Sequence, residues 1–143
     1  MNVAILGSTG YAGALLLRIL ASHPEVSGII AVSSSRTGSR ILETERALSR
    51  ESARKLAITD GVYVDIDEAR RLRPEAVFSA LPHLKSAELC EPFLPESVVI
   101  DLSADFRHKD TALFERAYGS PPPKMERLPE AVQETAQREE VDE

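Results

Sequence analysis

Val3-Ala4-Ile5-Leu6 runs directly into Gly7-Ser8-Thr9-Gly10-Tyr11-Ala12-Gly13, and the reading of this junction decides the fold. An unbroken apolar run of this length is the pattern of a strand buried in a parallel sheet. Helical spacing follows from Tyr11 to Ser22, with Leu15, Leu16, Ile19 and Leu20 on one face. His23-Pro24 ends that helix, because proline disfavours helix in the residue before it. Between strand and helix the glycines recur at every third position. Glycine serves where a chain turns tightly or must approach a phosphate closely. A further glycine lets the helix pack against the strand. The helix amino-terminus then offers unbonded N–H groups and partial positive charge to a pyrophosphate. Residues 7–13 therefore predict a dinucleotide-binding turn, with Gly7, Ser8, Thr9, Gly10, Tyr11, Ala12 and Gly13 as its candidate contacts. No Gly-Lys-Ser/Thr follows, which excludes a phosphate loop of that type.

Outward from the turn, strands and helices alternate. Ile29–Val32, Val62–Val64, Ala76–Ser79 and Val98–Leu102 read as further strands. Asp67–Leu72, with Asp67 as its N-cap, Lys85–Phe93 and Asp110–Tyr118 read as helices. Thr37–Thr59 reads as loop plus helix. This order predicts right-handed crossovers and an α/β, doubly wound parallel sheet, a Rossmann-type NAD(P)-binding domain. The domain spans 1–119. Gly119 and Pro121-Pro122-Pro123 then open a linker, and 120–143 carries that linker and a polar helix from Leu128.

Composition narrows the function classes. The chain has 143 residues, one domain's length, and a net charge of −6. Residues 124–143 carry seven acids and three bases, read as a solvated helix face or frayed terminus. Acidity argues against a nucleic-acid partner. No signal peptide or membrane span is read, so a cytoplasmic protein is expected. The single cysteine, Cys90, excludes an internal disulfide and reads as a small core hydrophobe. No metal site is expected.

Ligands of open parallel sheets bind outside the carboxyl ends of the strands. After the second strand, Ser33-Ser34-Ser35-Arg36 lacks the acid that takes a ribose 2′-hydroxyl in NAD-binding domains. Hydroxyls and a guanidinium suit a 2′-phosphate instead. Ser34, Ser35 and Arg36, assisted by Arg40, thus favour NADP. Ala80-Leu81-Pro82-His83 follows the next central strand. Leu81 and Pro82 suit packing against the nicotinamide ribose. His83 either hydrogen-bonds cofactor or substrate or simply faces solvent. Ser86 either caps the next helix or binds a phosphate. In Asp101-Leu102-Ser103-Ala104-Asp105-Phe106-Arg107, Arg107 either clamps an anionic substrate or cofactor or pairs with Asp105 to brace the loop.

Taken together, the 7–13 turn, Leu16 to Pro24, Ser34-Ser35-Arg36, Ala80-Leu81-Pro82-His83 and Ile100 to Arg107 resemble the N-acetyl-gamma-glutamyl-phosphate reductases of arginine biosynthesis. The string from Asp101 to Arg107 is the most specific. The resemblance implies an NADPH-dependent reduction of a small-molecule acyl phosphate to a semialdehyde, with release of phosphate. It also implies a cysteine nucleophile in an Asn-Pro-Gly-Cys segment and a histidine acid/base. Leu128-Pro129-Glu130 is similar to the helix preceding that cysteine, yet the segment itself and a substrate domain do not follow here. A cofactor domain inactive alone is the resulting expectation. The whole family protein is expected to be homo-oligomeric, and this chain a monomer or weak dimer. Leu84 departs from the pattern, which usually has glycine there, and residues 120–124 are shorter than usual. Related aminoadipyl- and aspartyl-phosphate reductases share several motifs, although the Asp101–Arg107 string disfavours the latter. A non-catalytic NADP-binding module is the alternative of a different class.

Overall fold

A computed structural model describes residues 1–106 and 110–121. Its strands are β1 (Asn2–Leu6), β2 (Gly28–Val32), β3 (Ala76–Ser79) and β4 (Val98–Asp101). Its helices are α1 (Tyr11–Ser22), α2 (Ile41–Thr44), α3 (Arg50–Ala53), α4 (Ile66–Arg71), α5 (Ser86–Cys90) and α6 (Thr111–Tyr118). The strands form a parallel sheet in the order β2-β1-β3-β4. Because side chains alternate along a strand, Val3, Ile5, Ile29, Ala31 and Ala76 fall on one face. Ala4, Leu6, Ile30, Val32 and Val77 fall on the other. All of β2 is buried, which is why its sequence is apolar without interruption.

Leu17, Leu20 and Ala21 of α1 cover the first face, joined by Leu56 from a 3₁₀ turn at Arg54–Thr59. Ala69 of α4, Cys90 of α5 and Phe93 from a 3₁₀ turn at Glu91–Phe93 cover the second. Helices on both faces make the doubly wound architecture that the alternation predicts. β1 lies between β2 and β3, so the chain leaves it first to one side and later returns to the other. That reversal creates the crevice where α/β sheets bind ligands. The cover is incomplete at β4, where Val98 and Ile100 stay 67% and 39% exposed.

Several local expectations are corrected. Residues 62–64 form no strand of the sheet. Val64 makes one parallel bridge to Val32, and Val62 one antiparallel bridge to Arg40. The chain turns away at once, because Asp65 starts α4. Asp65, and not Asp67, is the N-cap: its carboxylate accepts the Glu68 N–H at 2.8 Å. The 85–93 helix is shorter than its pattern. It ends at Cys90 and tightens into the 3₁₀ turn that contains Pro92, whose nitrogen cannot donate. The 37–59 stretch holds α2, α3 and a 3₁₀ turn. α6 begins on Asp110, which accepts the Ala112 and Leu113 amides, and stops at Gly119 with φ +70°. The tail helix from Leu128 lies outside the described residues.

Losing a side-chain N-cap costs about 1 kcal/mol. Asp65→Ala is therefore expected to lower unfolding free energy in urea by about that amount. Asp67→Ala, which removes only a first-turn charge, lowers it by about a third as much.

Candidate cofactor site

The glycine turn sits at the carboxyl end of β1 and is held from three directions. Gly7 has φ +75°, a left-handed conformation that glycine adopts without strain. A Cβ there would stand 2.9 Å from the Ala80 carbonyl oxygen at the end of β3. Gly13 packs α1 onto the turn, since its Cβ would lie 2.2 Å from the Gly7 carbonyl oxygen. Gly10 is different: it is exposed, and a Cβ there would meet nothing closer than 3.4 Å. The internal packing therefore leaves room at Gly10, whose backbone is ordinary extended at φ −76°. Gly10 caps α1 without any side-chain hydrogen bond. The amides of residues 11–13 begin α1 without intrahelical acceptors and remain available to an anion. Tyr11, 92% exposed, and Ala12 flank them.

Two of the predicted contacts point elsewhere. Ser8 is fully buried, and its hydroxyl and amide both donate to the Val32 carbonyl, at 2.8 and 3.1 Å. It fastens the turn to β2 and has no face toward a ligand. Ser86 is also fully buried. Its hydroxyl donates to Asp101 Oδ1 at 2.6 Å and lies 2.6 Å from the Ser79 hydroxyl. It does not cap α5, since Lys85 holds the cap position, and its hydroxyl is turned inward. Both serines were legible as hydroxyls near strand ends; their inward orientation was not.

At the end of β2, Ser34, Ser35 and Arg36 are exposed. Among the described residues no acid pairs with the Arg36 guanidinium. A hydroxyl chain connects this loop to the glycine turn: Thr9 Oγ1 to Ser33 Oγ at 3.1 Å, then Ser33 Oγ to Ser35 Oγ at 3.3 Å. Ser33 is the residue that sequence reasoning passed over. Its position at the strand end, facing Thr9, was the available signal. Arg40 is exposed at the start of α2.

The third wall is the turn after β3. Leu81 packs into the second core cluster, while Pro82 and His83 are exposed. His83 Nδ1 accepts the Ala104 N–H at 3.0 Å, and its ring lies 5.5 Å from the Tyr118 ring of α6. Leu84 has φ +67°, a left-handed backbone on a leucine. Asp105 is fully buried and accepts the Leu84 amide of this turn and the Ala87 amide of α5. Arg107 lies outside the described residues. Cys90 is fully buried, and burial pushes its thiol above the usual range against the opposing hydrogen bonds of Ser86 and Ser79. A separate cleft of about 500 Å³, lined by Arg70, Arg73, Pro74 and Ser97 among others, lies at the opposite end of β3 and β4. It is remote from every residue of the glycine turn.

Two outcomes follow from these environments. A left-handed leucine carries about 1–2 kcal/mol of strain, and glycine brings back part of it as backbone entropy. Leu84→Gly is expected to raise the urea-unfolding free energy by about 0.5–1 kcal/mol. For Cys90 the raised folded value means that the neutral thiol is favoured in the native state. Its contribution is complete below the unfolded thiol value, about 8.5, and is lost as pH rises through the higher folded value. Urea midpoints between pH 7 and 10 should therefore fall more steeply for the native sequence than for Cys90→Ala. Native Cys90 should also resist a thiol reagent until urea unfolds the chain.

Residues 2–137 match the family described as semialdehyde dehydrogenase, NAD binding domain. The chain is 41% identical over 134 residues to an N-acetyl-gamma-glutamyl-phosphate reductase of Geobacillus kaustophilus, covering 92% of this chain and 37% of that protein. It is 37% identical to a protein of Thermomicrobium roseum named for LysW-L-2-aminoadipate 6-phosphate reductase, covering 92% and 35%. It thus spans about a third of the length of these curated relatives. The fold is shared with aspartate semialdehyde dehydrogenase of Candida albicans, solved with NADP. The TM-score is 0.54 at 18% identity, over 85% of this chain and 40% of that one. No helix among the described residues is long and apolar enough to cross a membrane. With the glycine turn, the switch-point crevice and the match over residues 2–137 in agreement, the chain belongs to the semialdehyde dehydrogenase NAD-binding domain family.

Proposed function

We propose that residues 1–119 are the NADP(H)-binding domain of an acyl-phosphate reductase of the N-acetyl-gamma-glutamyl-phosphate type. The observation that carries the reading is the joined site at the ends of β1 and β2. There a hydroxyl chain runs from Thr9, the neighbour of Gly10, through Ser33 to Ser35, the neighbour of the exposed Arg36, which no acid pairs among the described residues. The fit to the cofactor rests on two features: the room left at Gly10, and a β2 end that offers hydroxyls and a cation where an NAD site offers an acid.

Bound NADPH supplies the hydride. The chain's own residues hold and orient it. The amides of residues 11–13 meet the pyrophosphate, Arg36 with Ser34 and Ser35 meets a 2′-phosphate, and Leu81 and Pro82 border the nicotinamide ribose. His83 offers a hydrogen-bond donor beside them. Arg107 is proposed as the anion clamp for the acyl phosphate. Cys90 is no candidate for the attacking thiol, because it is buried and favoured neutral. The attacking thiol is proposed to lie outside residues 1–119. Alone, this chain holds the cofactor without turnover, as a cytoplasmic monomer or weak dimer. Residues 120–143 lead toward the catalytic part. The Thermomicrobium roseum relative supports a second reading, an aminoadipyl-phosphate reductase with the same cofactor domain.

Titration of the folded chain by calorimetry or NADPH fluorescence is expected to show NADPH bound more tightly than NADH. Arg36→Ala should weaken NADPH about tenfold and leave NADH within about twofold, as loss of a hydrogen bond to a charged group predicts. Gly10→Ala should weaken both nucleotides with little change in melting temperature. A folded sample that binds neither nucleotide would overturn the reading.

A further inference from the structure

The loop after β4 holds the turn after β3 through a set of buried and partly buried hydrogen bonds. Asp105 Oδ1 accepts the Leu84 N–H at 2.7 Å, and its Oδ2 accepts the Ala87 N–H at 3.0 Å. Ala104, its neighbour, donates to His83 Nδ1 at 3.0 Å. The Asp105 amide donates to Ser103 Oγ at 3.0 Å, and the Ser103 hydroxyl donates to Asp101 Oδ2 at 2.6 Å. Asp105 and Ala104 are fully buried, so neither meets a ligand directly. A buried carboxylate is costly unless its lone pairs are satisfied, and stability alone is often served as well by an apolar residue. The turn it grips is one that does not hold itself, for Leu84 sits at φ +67°. A neutral imidazole whose Nδ1 accepts a hydrogen bond carries its proton on Nε2. His83 is exposed, in the turn whose Ala80 carbonyl backs Gly7.

We propose that Asp105 is a positioning residue for the cofactor. It clamps the 81–84 turn in its left-handed form and sets Ala104 against His83, so that His83 presents an Nε2–H donor beside the glycine turn. This rests on the NADP(H) reading above. Specificity follows from chemistry: a carboxylate accepts both amides, whereas asparagine accepts only one and turns an NH₂ group on the other.

The test has three arms on the 143-residue chain. In the unmodified protein without nucleotide, the Leu84 and Ala87 amides should exchange at least a hundredfold more slowly than exposed loop amides. The His83 ring nitrogens should show the Nε2–H tautomer by ¹⁵N NMR. Asp105→Asn should mix the two tautomers and raise the Kd for NADPH about tenfold. Leu56→Ala, a cavity on the opposite face of the sheet, should lower the melting temperature without either change. Asp105→Asn with native tautomer and affinity overturns the proposal, as does free-loop exchange at Leu84 and Ala87 in the unmodified chain. Should Asp105→Asn fail to fold, the two measurements on the unmodified chain decide. Absence of NADPH binding by that chain overturns the cofactor reading together with this role, whereas a lost effect of Asp105→Asn overturns this role alone.

Discussion

Everything at the ligand end of this domain hangs on one close approach. The Gly7 turn passes so near the Ala80 carbonyl that a Cβ would stand 2.9 Å from its oxygen. β1 and β3 are paired neighbours, and the two chains leave their strands at the same level, Leu6 beside Ser79. The turn must bend immediately, and only a left-handed residue without a side chain permits it. α1 must then start against the same turn, which Gly13 allows by bringing helix backbone onto the Gly7 carbonyl. Ser8 completes the anchoring by donating twice to Val32 at the end of β2. A short segment is thereby tied to three strands and one helix, and its outward side is left to backbone amides.

The polar residues around this point divide by direction. Ser8, Ser79, Ser86, Ser103 and Asp105 are buried and bonded to one another or to backbone. Among the described residues no buried polar side-chain atom lacks a partner, as expected where the interior penalises unpaired donors and acceptors. Thr9, Ser34, Ser35, Arg36 and His83 are exposed. The inward set braces the fold, and the outward set is left to solvent. Ser33 belongs to both, buried yet placed between Thr9 and Ser35.

Much of this arrangement is legible in the sequence. The buried runs Val3–Leu6 and Ile29–Val32, the amphipathic helix from Tyr11 and the glycine spacing each carry a local signal with a direct physical cause. Together they identify a doubly wound sheet and the place of the glycine turn at a strand end. The glycine expected in place of Leu84 was also informative, since the backbone there adopts a conformation that glycine prefers. Less legible were short segments whose state depends on a neighbour. Val62–Val64 alternates like a strand, but the chain turns at Asp65 after single bridges. Asp65 and Asp67 are equally good capping residues by type, and only the start of α4 distinguishes them.

What the sequence determined by itself is therefore the class of fold, the position of the glycine turn and the cationic, acid-free end of β2. These follow from periodicity, from glycine's freedom and from side-chain charge, all properties of residues adjacent in the chain. The tertiary structure alone decided which hydroxyls are exposed and which face the core. It also decided that Asp105 and Ala104 reach back about 20 residues to hold Leu84, Ala87 and His83. A serine or an aspartate has the same local propensity whether it points inward or outward. Its direction is set by the pairing of β3 with β4, which brings two loops distant in sequence within hydrogen-bonding range.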